Sequence, residues 1–324
     1  MRRREFIALI GGVAVIGPRN AEAQPKKVWR VGQVLAGTRE THGFLALALE
    51  ERLSELGDKE NVVVIDRFAR PEPSAVQEEI AAVSAQVDVL VVYSTIGGVA
   101  AKRVAPPIPV VFVSVGAPVE IGLVQTLSRP GGNMTGVTFE AASETYQRRL
   151  QLLKELVPGL TRVAVLRAHG DANAAFATNA LEKGAPQLGV SLLSFDITPT
   201  SDLDRVFAEI VAQAAQGLVV VAGALTFALR KRIAELALAH RLPSCGGFKE
   251  TVEAGELIGL GPDLIQLCRQ GAALVDKIIH GSKPADLPVE QPTRYVIWIN
   301  LKTASALGIT VPPALLAGAD EVIE

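Results

Sequence analysis

The sequence predicts an α/β protein of two lobes, each a parallel sheet covered by helices on both faces. Three observations carry this. Strand-like and helix-like segments alternate along nearly the whole chain. Apolar residues make up 49% and aromatics 5%, the aliphatic composition of sheets buried on both sides. The alternation restarts near residue 140, giving each half about five strands joined by short connections, with right-handed crossovers expected.

In order, "WRVGQVLAG" reads as a strand and Thr41 to Leu56 as a helix, with Phe44, Leu45, Ala48, Leu49 and Leu53 on one face. Gly57 ends it, and "VVVIDRFA" is the next strand. Pro71 and Pro73 punctuate, and Ser74 is placed to cap a helix running to Val83. "VDVLVVYS" is the third strand, and Ser94-Thr95 cap the helix after it. "PVVFVSVG" and "MTGVTFE" are the fourth and fifth. The second half opens on a helix from Ser143 to Leu156, then "TRVAVLRA", a helix from Ala172 to Leu188, "VSLLSFDI" and a helix from Ser201 to Ala215. "GLVVVAG", a helix from Phe227 to His240, "LPSCGG", a short helix and "ELIGLG" complete it.

The tail then asks for a topology. After the amphipathic helix Leu264 to Ile279, a Gly/Pro-rich run leads to one more strand, Tyr295 to Ile299, and a short helix that Gly308 ends. A chain that crosses back lets the long helix cover the first sheet and returns the last strand to the second. Crossings then fall near Thr138, near Pro262 to Asp263 and near Pro288 to Pro292. Residues 24–138 plus 263–288 form one lobe, and 139–262 plus 289–324 the other. Three connections make a hinge, and a hinge makes a cleft that shuts on a ligand.

Residues 1–23, "MRRREFIALIGGVAVIGPRNAEA", have a basic start, a short apolar run and an Ala21-Glu22-Ala23 cleavage pattern, the layout of an export signal. Arg3-Arg4 leaves the twin-arginine and Sec routes both open. No cysteine follows the site, which argues against a lipid anchor. Net charge is −2 for the chain and −4 after cleavage, which leaves no basic field for nucleic acid. Cys245 and Cys268 lie in no metal or redox spacing and read as buried thiols.

Enzyme signatures are missing: there is no G-x-x-x-x-G-K-[ST], no G-x-S-x-G and no H-E-x-x-H. No cofactor and no metal are expected. The four histidines, His42, His169, His240 and His280, stand far apart, and His169, just past a strand end, is the one considered for a ligand. Loops after strand ends are where open α/β sheets bind ligands, because helix N-termini offer free N–H groups there. Those loops hold Gly37, Thr38 and Thr41, then Ser94-Thr95, then Ser114 and Gly116 in the first lobe. In the second they hold His169-Gly170-Asp171, Gly223 and Gly246-Gly247-Phe248, with Tyr146 a weaker candidate. A single Ser or Thr is most simply an N-cap. Hydroxyls and glycines converging from both lobes, without a nucleophile–base pair, suit the binding of a small polar or carboxylate ligand.

The stretches "RREFI" with "AEA", "LVQTLSRPGGNMTGVT", "LLKELVPGLTRVAVL", "RKRIAELALAHRLP", "VEAGELIGLGPDL" and "DKIIHGSKPADLPVEQPTRYVIWINLKTASALGITVP" resemble the periplasmic substrate-binding components of ABC transporters, in a subgroup related to tryptophan/tyrosine-type binding proteins. The resemblance spans essentially the whole chain. It implies the type I periplasmic-binding fold, two Rossmann-like lobes with a three-segment hinge. It further implies a monomer that delivers a small amino-acid-like ligand to an inner-membrane permease. Ala117, in "VGAPVEIGLV", stands where that family often carries an acidic residue before the proline. If that acid meets a ligand ammonium in relatives, the resemblance points here to a ligand without one. The rival readings are a cofactor-free racemase using Cys245 and Cys268, and a sugar-responsive transcription regulator. The first needs Cys268 in a loop although it falls in a helix pattern. The second needs a DNA-binding helix-turn-helix where the export signal stands.

Overall fold

The computed structural model describes residues 27–58, 60–140 and 142–324. The export segment 1–23 lies outside the described residues. The first lobe begins β1 (Trp29–Ala36), α1 (Arg39–Glu55), β2 (Val62–Ala69), α2 (Pro73–Ser84), β3 (Val89–Tyr93), α3 (Ser94–Val104), β4 (Val110–Gly116) and β5 (Met134–Glu140). Its sheet runs β2-β1-β3-β4-β5, parallel throughout. Val31, Val91, Val111 and Val113 are fully buried in it, as β-branched runs between two helical layers must be.

The chain continues with α4 (Glu144–Leu156), β6 (Arg162–Ala168), α5 (Ala172–Gly184), β7 (Ser191–Ile197), α6 (Leu203–Ala212) and β8 (Gly217–Val220). Then come α7 (Ala224–Ala228), α8 (Arg230–Ala239), β9 (Ser244–Gly246), α9 (Lys249–Glu253) and β10 (Ile258–Gly261). After α10 (Leu264–Ile279) follow β11 (Val296–Asn300), α11 (Leu301–Leu307), α12 (Pro313–Gly318) and β12 (Glu321–Ile323). The second sheet runs β12-β11-β10-β9-β8-β6-β7, with β11 antiparallel to β10 and every other pair parallel.

Although α10 follows a strand of the second sheet, it packs on α1, β4 and β5 of the first. Its Leu267, Leu274, Val275 and Ile278 share a core with Leu45, Leu49 and Leu53 of α1. Gly271 permits the close approach: a Cβ there would sit 2.6 Å from Val113 Cγ2. The chain therefore runs between the sheets after β5, after β10 and before β11. Glu290 pairs with Val137 beside the first of these paths.

Several element ends differ from the sequence reading. The helix read from Thr41 begins at Arg39, with Thr38 as its cap. Ser74 is not a cap: α2 starts at Pro73, whose fixed φ suits a first helical turn and which has no N–H to leave unpaired. Ser94 and Thr95 are not caps either. β3 hands over directly to α3, and Ser94, at φ 63°, makes the turn itself. The helix read from Phe227 starts at Ala224 and divides at Leu229. Strand β12 was not read from the sequence, because three residues are too few to show a period.

Candidate functional site

Between the lobes lies a cavity of about 40 Å³. The first lobe contributes His42 from α1, Tyr93, Ser94 and Thr95 from the β3–α3 turn, and Ser114 from β4. The second contributes Ala222, Gly223, Ala224 and Phe227 after β8, and Phe248 after β9. Phe139, from the first crossing, completes the floor.

Ser94 and Ser114 both hold left-handed backbone, at φ 63° and 58°. For a residue with a Cβ this costs on the order of 1–2 kcal/mol, and such strain collects where function fixes geometry. At Ser114 the β4–β5 register also shifts, a bulge that re-aims the strand end. Thr95 Oγ1 accepts the Gly116 N–H at 3.1 Å, and Thr138 Oγ1 donates to Val115 O at 2.7 Å. These bonds hold the hydroxyl-bearing side as a preset surface.

The opposite side is aromatic. Phe227 meets His42 at 5.2 Å and Phe248 at 6.0 Å between ring centroids, and Phe139 meets Phe248 edge-on at 5.5 Å. Arg230 lies over Phe227 at 4.4 Å. Burial, with Arg230 adding to it, pushes the His42 imidazole down to about 4. His42 is therefore neutral in this wall near pH 7, with Nδ1 2.8 Å from Thr41 Oγ1.

Just behind the cavity, a buried ion pair fastens the crossings to the second lobe. Arg149 of α4 meets Glu140, the last residue of β5, at 2.9 Å, and both are essentially unexposed. Burial pushes the Glu140 carboxyl up while Arg149 pulls it back. Arg149 Nε also donates to Leu260 O at 2.7 Å, next to the second crossing. Tyr295, beside the third, donates to Phe139 O at 3.1 Å.

Of the residues singled out from sequence, Ser94, Thr95, Ser114, Gly223 and Phe248 come together on the cavity wall. Gly116 is not part of the wall: it lies behind it, its N–H donating to Thr95 Oγ1. Thr38 and Thr41 do not reach it, because they form a reciprocal capping box that starts α1. Tyr146 is fully buried behind the wall, its hydroxyl taken up by Asn173 at 2.9 Å. His169 lies at a separate rim pocket, 3.8 Å from Asp196 and mostly exposed. The cavity histidine is instead His42, which the sequence reading passed over. Its signal was its place in the first turn after a strand end. Phe227 stands one turn beyond Gly223.

Cys245 is buried in β9 and Cys268 in α10, and both thiols are free. Neither lines the cavity, and burial pushes Cys245 up to about 12, the opposite of what a nucleophile needs. Among the described residues, no helix is long and apolar enough to cross a membrane.

Two parallel-sheet lobes around such a cavity define the class of two-lobed α/β ligand-binding proteins. The sequence profile of the ABC transporter substrate binding protein family matches residues 47–323, and the chain belongs to that family. It is 25% identical over 267 residues to a tyrosine-binding protein of Clostridioides difficile, covering 82% of this chain and 75% of that one. Its fold matches the ABC domain from Streptococcus pneumoniae solved in complex with L-Trp, with TM-score 0.85 and 21% identity, over 92% of this chain and all of that one. It also matches the ligand-free, open structure of a Clostridium difficile substrate binding protein, with TM-score 0.64 and 22% identity, over 91% and 99%. The fold is the type I periplasmic-binding fold of these transport proteins.

Proposed function

We propose that the chain captures a small aromatic amino-acid-like or carboxylate ligand in the interlobe cavity and delivers it to an inner-membrane ABC permease. The observation that carries this is the division of the cavity wall. The strained Ser94 and its neighbour Thr95 at the start of the 11-residue helix α3, with the strained Ser114 of β4, supply hydroxyls, and Phe139, Phe227 and Phe248 supply rings. The helix N-terminus and the hydroxyls of Ser94, Thr95 and Ser114 suit a carboxylate head, and the rings suit an apolar body. The relatives named for tyrosine and solved with L-Trp support that chemistry.

At about 40 Å³ the cavity is far below the roughly 300–1,000 Å³ of ordinary ligand pockets. Loading therefore requires the lobes to part. The moving bodies are residues 24–138 plus 263–288 and residues 139–262 plus 289–324. In this reading residues 1–23 direct export, and the mature monomer works in the periplasm. The test is calorimetry and thermal shift on residues 24–324 with L-tyrosine, L-tryptophan and benzoate. A ligand that binds the folded state alone raises the melting point. Binding that survives Ser94→Ala with Thr95→Ala unchanged would place the head elsewhere.

A further inference from the structure

We propose that the mouth of the interlobe cavity carries a proton-operated latch: His169 of the second lobe, when charged, pairs with Glu72 of the first and holds the lobes shut, and loss of that proton lets them part. The proposal rests on the reading that the lobes open to load the cavity, and it adds the condition that releases them.

The two residues face one another at a second gap between the lobes, of about 60 Å³. The first lobe lines it with Glu72, beside Pro73 at the start of α2, and with Ile96 of α3. The second lines it with His169 and Asp171 before α5 and with Ala224 of α7. Ala224 lines the ligand cavity as well, and Ile96 directly follows the cavity residues Ser94 and Thr95. The gap is thus the outer continuation of the cavity. None of the three crossings contributes to its lining, so it lies off the hinge, where rotation of the lobes separates its two sides.

The loops that carry the pair are held in place. His169 N–H donates to Ile197 O at 2.8 Å, and Gly170, at φ 73°, turns the chain into α5. Glu72 stands at the cap position of α2, yet its carboxylate accepts no backbone N–H of that helix. Its own-lobe cation, Arg70, stands at 3.9 Å and is largely exposed. The carboxylate is therefore open to a cation from the facing lobe.

Only interactions across the gap bear on closure, because contacts within one lobe survive when the lobes part. Arg70 on Glu72, Arg167 on Asp196 at 2.5 Å and His169 near Asp196 at 3.8 Å are all of the second kind. Across the gap Glu72 faces His169 and Asp171, while Ile96, Pro199, Ala224 and Leu225 bring no charge. With a neutral imidazole, the two carboxylates repel. With a charged one, Glu72 is drawn across. Both arginines stay charged throughout, whereas histidine changes charge between about pH 5 and pH 8. Asp171 acts in the same sense. Burial pushes its carboxyl up to about 6, against the pull of the Asn173 N–H. Parting the lobes wets that carboxyl, so the shut form binds its proton more tightly, and this contribution fades as pH rises through about 6.

The test needs no ligand. Dyes on Ala81→Cys of α2 and Asn179→Cys of α5, both exposed positions, report the interlobe distance in residues 24–324 by single-molecule energy transfer, the native thiols being buried. The ratio of shut to open molecules should rise about two- to tenfold from pH 8 to pH 5. His169→Gln should flatten that rise and so should Glu72→Gln, with little further change when the two are combined. Exchanging the charges, Glu72→His with His169→Glu, should restore it, which a merely structural role for either residue would not do. Asp171→Asn, still a good cap for α5, should remove part of the rise. A shut fraction that ignores pH, a single distance at every pH, or an undiminished rise in His169→Gln overturns the latch. Calorimetry decides the ligand reading separately: if L-tyrosine, L-tryptophan and benzoate all fail to bind, that reading falls, while the pH profile still decides the latch.

Discussion

On the first lobe the cavity wall carries the hydroxyls, two of them on left-handed backbone; on the second it carries the Phe227 and Phe248 rings and small residues, none of them on left-handed backbone. Ser94 and Ser114 have φ of 63° and 58°, whereas Ala222, Gly223, Ala224, Phe227 and Phe248 all avoid the left-handed region. The strained side is cross-tied by Thr95 and Thr138 within the first sheet. The second side is an apolar cover of Phe227, Phe248 and the small residues Ala222, Gly223 and Ala224. In the proposed binding mode the first lobe would hold the polar head and the second would arrive over the body.

The largest expected effect concerns the tie behind both faces. Arg149→Ala leaves Glu140 buried without its partner and should cost about 3–5 kcal/mol in urea unfolding. Replacing both together, Glu140→Gln with Arg149→Met, should recover most of it. The exposed Arg232–Asp204 pair, at 2.7 Å, should cost at most about 1 kcal/mol when broken. Similar losses from the two single substitutions would mean that burial is not what makes the hinge pair matter.

The next effect is a pH dependence on the first-lobe side. His42 has its folded value lowered to about 4, chiefly by burial, so between that value and the unfolded 6.5 the unfolded chain binds the extra proton. Stability contributed by the neutral ring is present above 6.5 and lost as pH falls through this window, by on the order of 3 kcal/mol at most. Asp171 and Glu256 titrate in the opposite sense, since burial raises them to about 6 and about 7. The informative quantity is therefore the difference between wild type and His42→Gln from pH 7 to pH 4. A difference that stays flat across that range contradicts a neutral buried imidazole.

Ser94→Ala with Thr95→Ala should weaken ligand binding about ten- to a hundred-fold, the loss of hydrogen bonds to a charged group. Isothermal titration against the wild type measures it. The smallest effect separates the two backbones directly. Ser114→Gly removes left-handed strain and should stabilise the fold by up to about 1 kcal/mol while still weakening binding. Ala224→Gly, in an ordinary helical turn, should instead destabilise by about 1 kcal/mol. Thermal melts showing both glycines destabilising would remove the strain argument.

Much of the fold was legible because its signals are local. Helix Leu264–Ile279 shows an apolar face at Leu264, Leu267, Gly271, Leu274, Val275 and Ile278, and it buries all of these together with Cys268, Ala272 and Ile279. Strand β5 coincides with the stretch "MTGVTFE" for the same reason. The first-lobe hydroxyls were legible because a strand end followed by a helix start marks them. Thr38 and Thr41 carry the same mark, yet their hydroxyls serve each other, and no spacing separates a cap from a ligand contact.

What the sequence by itself determined is the order of elements, the two sheets and the need for α10 to find an apolar partner, since period and β-branching are written in neighbouring residues. Tertiary structure decided which side chains share the cavity. His42 and Phe227 meet because α1 and α7 start from strand ends of different sheets that face one cleft. Asn173 keeps an unpartnered oxygen because its amide nitrogen is claimed by Ala222 O and Tyr146 Oη, both distant in sequence. Such contacts depend on where three crossings of the chain bring the lobes together, and that distance is set by packing rather than by any repeat along the chain.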